Sequence, residues 1–384
     1  MLGTGLTALG VIRSFHRKGI PVYTSSCNND GLMRYSRWFR PLADHAQLTP
    51  EALGEFLLSN RTLKHAVLMP CSDPWVEAVV RLPTTVSSLF PSAYANSQVT
   101  KVFLDKFLLS QVLDKLALPH PYTVLVKNKD DLNLLPESVF SSAFFKPRNS
   151  DKFFVRFGVK GIKVQDHADA VKRFSEISAA GFSVLLQEYI PGPPTVHYFV
   201  DGFLDGTGTL RASFARRRIR MHPRDFGNST YMVSIPITDV HDALEDLLKL
   251  LRFVGYRGIF SAEFKLDSGD GRFKLLEVNV RPWWYVEFAQ FCGVDVCGLA
   301  YKDALGQPLE TIVGYETGQY CVHPFYDLQV FLDGDGGKLF PFLWSWMGAR
   351  DILFSLDDPV PAIAQTLGVC ARHMLPLRQR SKGF

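Results

Sequence analysis

Residues 273–284 read FKLLEVNVRPWW, an apolar run interrupted at alternate positions by Glu277, Asn279 and Arg281. Side chains two apart on a strand share a face, so the acid, the amide and the guanidinium project together. The preceding stretch, GIFSAEFKLDSGDGR, carries a second acid, Glu263, and a turn at Ser268–Gly271. Folded back as a hairpin, it can bring Glu263 to the same face. Two carboxylates with only an amide between them are costly to bury unless a cation joins them. Hard oxygen donors with room left for phosphate oxygens suit magnesium. A guanidinium two residues further on suits a transferred phosphoryl group or a developing anion. A solvent-facing polar strand would show the same alternation, but the flanking apolar residues and the second acid argue against it.

Other charges stand in similar surroundings. Lys146 lies inside AFFKPRN (143–149), where a lysine needs a partner, and QEYIPG (187–192) runs from a strand into a turn. ARRRIR (215–220) sets Arg216, Arg218 and Arg220 on one strand face. That pattern fits an anionic substrate or an acyl phosphate, and equally a solvated basic strand. The following HPRDFGNST carries Arg224, a candidate substrate contact, while Trp283–Trp284 either walls an acceptor pocket or packs in the core. Asp73 ends HAVLMPCSD (65–73), which reads as a buried strand. It either lines a crevice at the carboxyl end of that strand or caps the next helix.

These residues need elements to position them. The first segment, MLGTGLTALGVIRSFHRKGIPVYTSS, has glycines at 3, 5 and 10, a helical stripe and a short strand at Pro21–Thr24. That is the outline of a Rossmann-like α/β lobe. Its glycine spacing departs from the dinucleotide fingerprint and almost no strand precedes Gly3, so the glycines read as tight turns for helix packing. The native start is therefore expected upstream of Met1. A helix is predicted from about Gln98 to Leu116, and the prolines of ALPHPYTVLV mark a boundary near 118. Strands follow at 143–149 and 160–166, then a helix at 167–181 ended by glycine. FSVLLQEYIPGPP is a strand entering a proline-rich turn, three further strands lead to an amphipathic helix at 239–256, and the acidic hairpin closes the series. The fold class is α/β with α+β lobes. Residues 1–117 form the first domain; 118–310 form a second, with a lid lobe at about 118–190 and a metal-binding lobe at about 191–310. Residues 311–384 are a C-terminal extension without an assigned role. Within it, KLFPFLWSWMG (338–348) reads as a core helix, or else as an aromatic face for a partner or membrane.

Taken in order, LDKFLLSQVLDKLALPHPYT, FFKPR, LLQEYIPG and the hairpin ending in EVNVR resemble the ATP-grasp superfamily of ATP-dependent carboxylate ligases. The closing motif of that superfamily is an acidic strand, a turn and Glu-x-Asn-x-Arg. The resemblance covers roughly residues 100–300 and is closest to the group containing D-aspartate ligase and the carbamoyl-phosphate synthase large subunit. It implies an ATP-grasp fold behind the Rossmann-like domain. It also implies an enzyme, a carboxylate–amine or carboxylate–thiol ligase that forms an acyl phosphate from ATP and releases ADP and phosphate. Carried over, it implies that Lys106 contacts the nucleotide and Lys146 holds the α- and β-phosphates. Gln187 or Glu188 would accept from the adenine amino group, the backbone of Tyr189 and Ile190 would read the ring, and Phe264 and Leu276 would pack against it. Glu263, Glu277 and Asn279 would hold two magnesium ions, or manganese in their place. Arg281 would stabilise the transition state, with Arg220 a second catalytic candidate. The usual glycine- and serine-rich loop is here NSDKFFVRFGVKG, so Lys152, Arg156 or Lys160 would cover the phosphates. Where relatives place a ribose-binding acid this chain has Pro194, and His197 would replace it. The rival reading is an ATP-binding regulatory protein that keeps the clasp without turnover; the intact acids and Arg281 count against it.

The whole chain agrees with such a protein. Its 384 residues, 47% hydrophobic with 30 Phe, suffice for several lobes and a large core. A net charge of +4 is too small and dispersed to argue for nucleic acid. No uncharged apolar run reaches the ~18 residues of a membrane span, and no signal-peptide pattern is seen, so a cytoplasmic location is expected. Cys27, Cys71, Cys292, Cys297, Cys321 and Cys370 lack zinc-site spacing and read as small buried thiols. The expected partners are small-molecule carboxylate and amine substrates and, as an oligomer, a second copy in a dimer.

Overall fold

The structure, a computed structural model, describes residues 1–25, 31–42, 48–60, 63–148 and 150–374, with the side chains of 150–152 and 369–374 excepted. Two sheets face one another. The smaller joins β1 (Thr123–Val126), β2 (Ala143–Pro147), β3 (Ile162–Lys163) and β4 (Val184–Glu188) in the order β1-β4-β2-β3, all antiparallel. Phe140, Phe145, Phe174 and Leu186 fill its core beneath the helix His167–Ala179. The Asp166 carboxylate caps that helix by accepting from the Asp169 N–H at 2.8 Å.

The larger sheet contains β5 (His197–Leu204), β6 (Leu210–His222), β7 (Asn228–Ile235), β8 (Gly258–Leu266), β9 (Phe273–Asn279), β10 (Tyr320–Val322) and β11 (Arg350–Asp351). Its order is β11-β10-β7-β6-β5-β8-β9, antiparallel except for β10–β11. The helix His241–Val254 packs Leu247, Leu250 and Leu251 on Phe260, Ala262 and Phe264 of β8. In the β8–β9 turn the Asp267 carboxylate accepts from the Gly269 N–H at 2.8 Å, and Gly271 takes a left-handed φ of 70°. Residues 311–374 supply β10 and β11 to the sheet edge. Arg13 of the helix Gly5–His16 is fully buried and donates to Asp358 Oδ2 at 3.0 Å and to the Leu353 carbonyl at 2.8 Å, tying the first lobe to this segment.

Several expected elements differ. The helix from 98 to 116 is two, Ser97–Leu104 and Lys106–Leu116, because Asp105 is extended and its carboxylate caps the Phe107 N–H at 3.0 Å. The expected loop after Lys146 contains the helix Ser150–Phe157; Phe153 and Phe157, four apart, share a face and pack on Phe182 at 5.4 and 5.7 Å. The strands read at 143–149 and 160–166 shorten accordingly. Among the described residues the stretch at 65–73 forms an isolated bridge, Leu2–Pro70, and 21–24 another, Thr24–Pro41, rather than full strands. The stretch at 338–348, read as a core helix or else as an aromatic face, is a surface one. Its helix Leu339–Trp344 buries Phe342 while Phe340 is 74% and Trp344 59% exposed, because consecutive apolar residues cannot all face one side. Cys71, Cys292, Cys297 and Cys321 are free and buried; Cys27 and the Cys370 side chain fall outside the described residues. Among the described residues no helix is long and apolar enough to cross a membrane.

Candidate active site

Between the two sheets lies a cleft of about 1070 Å³. Strand alternation decides what faces it. Ser261, Glu263 and Lys265 line the cleft, while Phe260, Ala262 and Phe264 point into the core beneath the helix His241–Val254. Across β8–β9, Ser261 pairs with Asn279 and Glu263 with Glu277, so the two acids stand side by side. The register then slips: Phe264 pairs with Leu275, and Leu276 becomes the extra residue of a bulge. Leu276 and Glu277, although adjacent, therefore both reach the cleft. Phe264 faces the core by alternation with Glu263 and is 1% exposed, so it does not line the cleft where the adenine contact was expected. Lys265, one residue on, occupies the cleft wall instead.

The acidic face is held by cations. Glu263 Oε1 lies 2.8 Å from His197 Nδ1 and 3.0 Å from Arg218 Nη2. Burial pushes the Glu263 carboxyl up, but Arg218 and His197 outweigh it and hold the group well below the usual carboxylate range. His197 is itself lowered, by burial first and by Arg218, against the pull of Glu263. Asn279 Nδ2 donates to Glu277 Oε1 at 3.4 Å, and Asn279 Oδ1 accepts from Arg281 Nη2 at 3.2 Å. Arg281 Nε donates to Asp73 Oδ1 at 2.6 Å. Asp73 thus lines the crevice; it is the first residue of the helix Asp73–Val80, and Ser72 occupies the cap position.

On the opposite wall, Lys146 of β2 donates to Gln187 Oε1 at 3.3 Å, and Gln187 Nε2 donates to Thr123 Oγ1 at 2.9 Å. Burial pushes the Lys146 ammonium down to about 8, with Glu277 pulling it up and Lys106 pushing it further down. Lys160 donates to Asn228 Oδ1 at 2.7 Å and is likewise lowered by burial. Arg156 lies over the Phe157 ring at 5.9 Å rather than in the cleft, and the Lys152 side chain falls outside the described part. Lys106 opens the helix after Asp105, whose carboxylate also pairs with Arg148, the residue after β2. At the hinge, Glu188 Oε2 accepts from the Tyr122 N–H at 3.1 Å, and the Tyr189 N–H is taken by the Ser142 carbonyl at 2.6 Å. Among the described residues the Ile190 N–H makes no main-chain bond, and its side chain is buried.

Glu263, Glu277 and Asn279 supply hard oxygens suited to magnesium. Among the described residues no group of three or more His, Cys, Asp or Glu closes into a cage. An open set of this kind fits an ion that keeps water and phosphate oxygens among its ligands.

No family model matches the chain. It is 23% identical over 326 residues to D-aspartate ligase of Enterococcus faecium (strain Aus0004), covering 79% of this chain and 75% of that one. Among solved structures it resembles a biotin carboxylase–β,γ-ATP complex from Campylobacter jejuni, with a TM-score of 0.64, 17% identity and 83% and 73% of the two chains covered. An ADP complex of N5-carboxyaminoimidazole ribonucleotide synthetase matches with a TM-score of 0.63, 13% identity and 86% and 84% covered. The fold is ATP-grasp.

The ATP-grasp cleft gathers Lys106, Lys146, Gln187, Glu188, Tyr189, Ile190, His197, Glu263, Leu276, Glu277, Asn279 and Arg281 along one wall system, and leaves Phe264 out. Arg216, Arg218 and Arg220 also line it, but each has its own acid: Asp201, Glu263 and Asp327 at 2.6, 3.0 and 2.6 Å. Arg220 is gripped further by Ser345 Oγ at 2.9 Å and by the Tyr231 and Phe342 rings, so its guanidinium is tied into the C-terminal segment. Arg224 is an exposed mouth residue, 3.4 Å from Asp335. Trp283 is buried and Trp284 partly so, and both line the cleft. Sequence reasoning missed Lys265 and the acids Asp201, Asp225 and Asp327. Strand alternation from Glu263 was a signal for Lys265; nothing local announced Asp327, 107 residues from its partner.

Proposed function

We propose that the protein is an ATP-dependent ligase that activates a carboxylate as an acyl phosphate and joins it to an amine, releasing ADP and phosphate. The observation that carries this reading is the register pair Glu263–Glu277, with Asn279 and Arg281 beside it, facing Lys146 across the cleft. Lys106, Lys146 and Lys160 would hold the phosphates, and the Gln187–Ile190 hinge the base. Two magnesium ions held by Glu263, Glu277 and Asn279 would neutralise phosphate charge. A carboxylate oxygen attacks the γ-phosphorus as the bond to the β-phosphate oxygen breaks, which gives ADP and an acyl phosphate. The amine nitrogen then attacks the acyl carbon, phosphate departs with its bonding pair, and the new amide loses a proton. Arg281, aimed by Asp73 and Asn279, is suited to the charge that gathers on the transferred group. Position and charge are the protein's main contributions to such a transfer. Similarity to D-aspartate ligase favours an amino acid among the substrates.

The test is a panel of amino acids and small carboxylates with Mg·ATP, read by ADP formation and by mass of the ligated product. One substrate pair should give stoichiometric ADP, phosphate and amide. In Glu277→Gln, turnover with that pair should fall at least ~100-fold, about 3 kcal/mol of transition-state stabilisation. Unchanged turnover in that variant would contradict the reading.

A further inference from the structure

We infer that Lys265 grips the sugar of the bound nucleotide, its ammonium donating to the ribose hydroxyl oxygens; this rests on the ATP reading of the cleft. Lys265 is only 5% exposed, yet it lines the cleft. Among the described residues its ammonium takes no hydrogen bond and no salt bridge. The acids in its neighbourhood are already engaged. Glu263 serves His197 and Arg218, and Asp225 pairs with Lys163 at 2.8 Å and accepts from the Tyr189 hydroxyl at 3.0 Å. Its ammonium lies over the Tyr189 ring, which offers no hydrogen-bond acceptor, and a buried ammonium lacking acceptors is unfavourable. A ligand bound in the cleft would supply that acceptor.

Position along the cleft identifies which part of the ligand. Lys265 pairs in register with His197, stands two residues from Glu263 on the same strand face, and lies 5.0 Å from the Tyr189 ring at the hinge. A nucleotide runs base, sugar, phosphate. With its base at the hinge and its phosphates at Glu263, Glu277 and Lys146, the sugar falls beside Lys265. An ammonium has three donors and no acceptor, so it serves the hydroxyl oxygens of that sugar.

The test compares Mg·ATP with Mg·2′,3′-dideoxy-ATP by calorimetry on the whole chain. The wild type should bind ATP about tenfold tighter, the size expected for hydrogen bonds to a charged donor. Lys265→Met should bind both nucleotides alike, at about the wild-type affinity for the dideoxy form, and Lys265→Arg should keep most of the preference. Lys146→Met should weaken both nucleotides while preserving their ratio. A wild-type ratio near one, or a preference that survives in Lys265→Met, would overturn the inference and leave the ATP reading standing; equal weakening of both nucleotides in Lys265→Met would instead put the ammonium on the phosphates, and also overturn it. Failure of the wild type to bind either nucleotide would overturn the ATP reading itself.

Discussion

Arg281 Nε and Asp73 Oδ1 lie 2.6 Å apart, and this bond joins the first lobe to the end of the Glu277–Asn279–Arg281 motif. The two residues are 208 positions apart in the chain. Burial opposes the charge on Arg281, but Asp73 more than offsets it and raises the guanidinium pKa. Asp73 is thus a positioning residue for Arg281. Replacing it by Asn keeps the shape and removes the charge that aims the guanidinium. In Asp73→Asn, kcat should fall about tenfold, with KM for ATP changing less than about threefold, because misplacing a group of this kind costs rate before ground-state affinity. Steady-state kinetics on the active substrate pair measures both.

Lys146 predicts a pH dependence. Its pKa is pushed down to about 8 in the folded protein, against 10.5 for an ordinary lysine. Between these values the unfolded chain holds a proton that the folded chain has lost, so this residue's contribution to stability rises with pH across that window and is lost as pH falls through about 8. Nucleotide phosphates need the charged form. ATP affinity of the free protein should therefore decline as pH rises above about 8, and Lys146→Arg, which stays charged, should flatten the decline. Calorimetric titrations from pH 7 to 10 check this; the same slope in both proteins would count against it.

Arg220 and Asp327 predict a stability effect. The carboxylate of Asp327 is fully buried and accepts from Arg220, from Thr230 Oγ1 at 2.6 Å and from Trp346 Nε1 at 2.7 Å. Asp327→Ala leaves the guanidinium without its counter-ion, a loss of about 3–5 kcal/mol. Arg220→Met in the same chain should restore a substantial part of it. Denaturant unfolding of the single and double variants measures the coupling. Full additivity of the two losses would contradict a tied, structural Arg220.

What the sequence made legible follows from what is local. The hairpin of β8 and β9, the strand holding Lys146 and the Gln187–Ile190 turn are each written in a few adjacent residues, and their alternation fixes which side chains share a face. The bulge at Leu276 was not legible, because it depends on how β9 registers against β8, and it decides that Leu276 reaches the cleft beside Glu277. The helix Ser150–Phe157 replaces an expected loop because Phe153 finds Phe182, a tertiary contact. Arg220 reads as free in ARRRIR since its acid belongs to a segment whose place beside β6 and β7 appears only in three dimensions. The surface position of Phe340 and Trp344 was hidden for the same reason: composition gives an apolar helix, not what lies beneath it.

The central claim is transfer of the γ-phosphoryl group to a carboxylate oxygen within the cleft of Glu263, Glu277 and Lys146. The most direct measurement is to run the active substrate pair with the carboxylate labelled in both oxygens with oxygen-18 and weigh the products. Attack by the carboxylate oxygen, followed by displacement of phosphate by the amine, predicts ADP together with inorganic phosphate carrying one labelled oxygen per turnover. Unlabelled phosphate, or AMP and pyrophosphate in place of ADP and phosphate, would contradict the account.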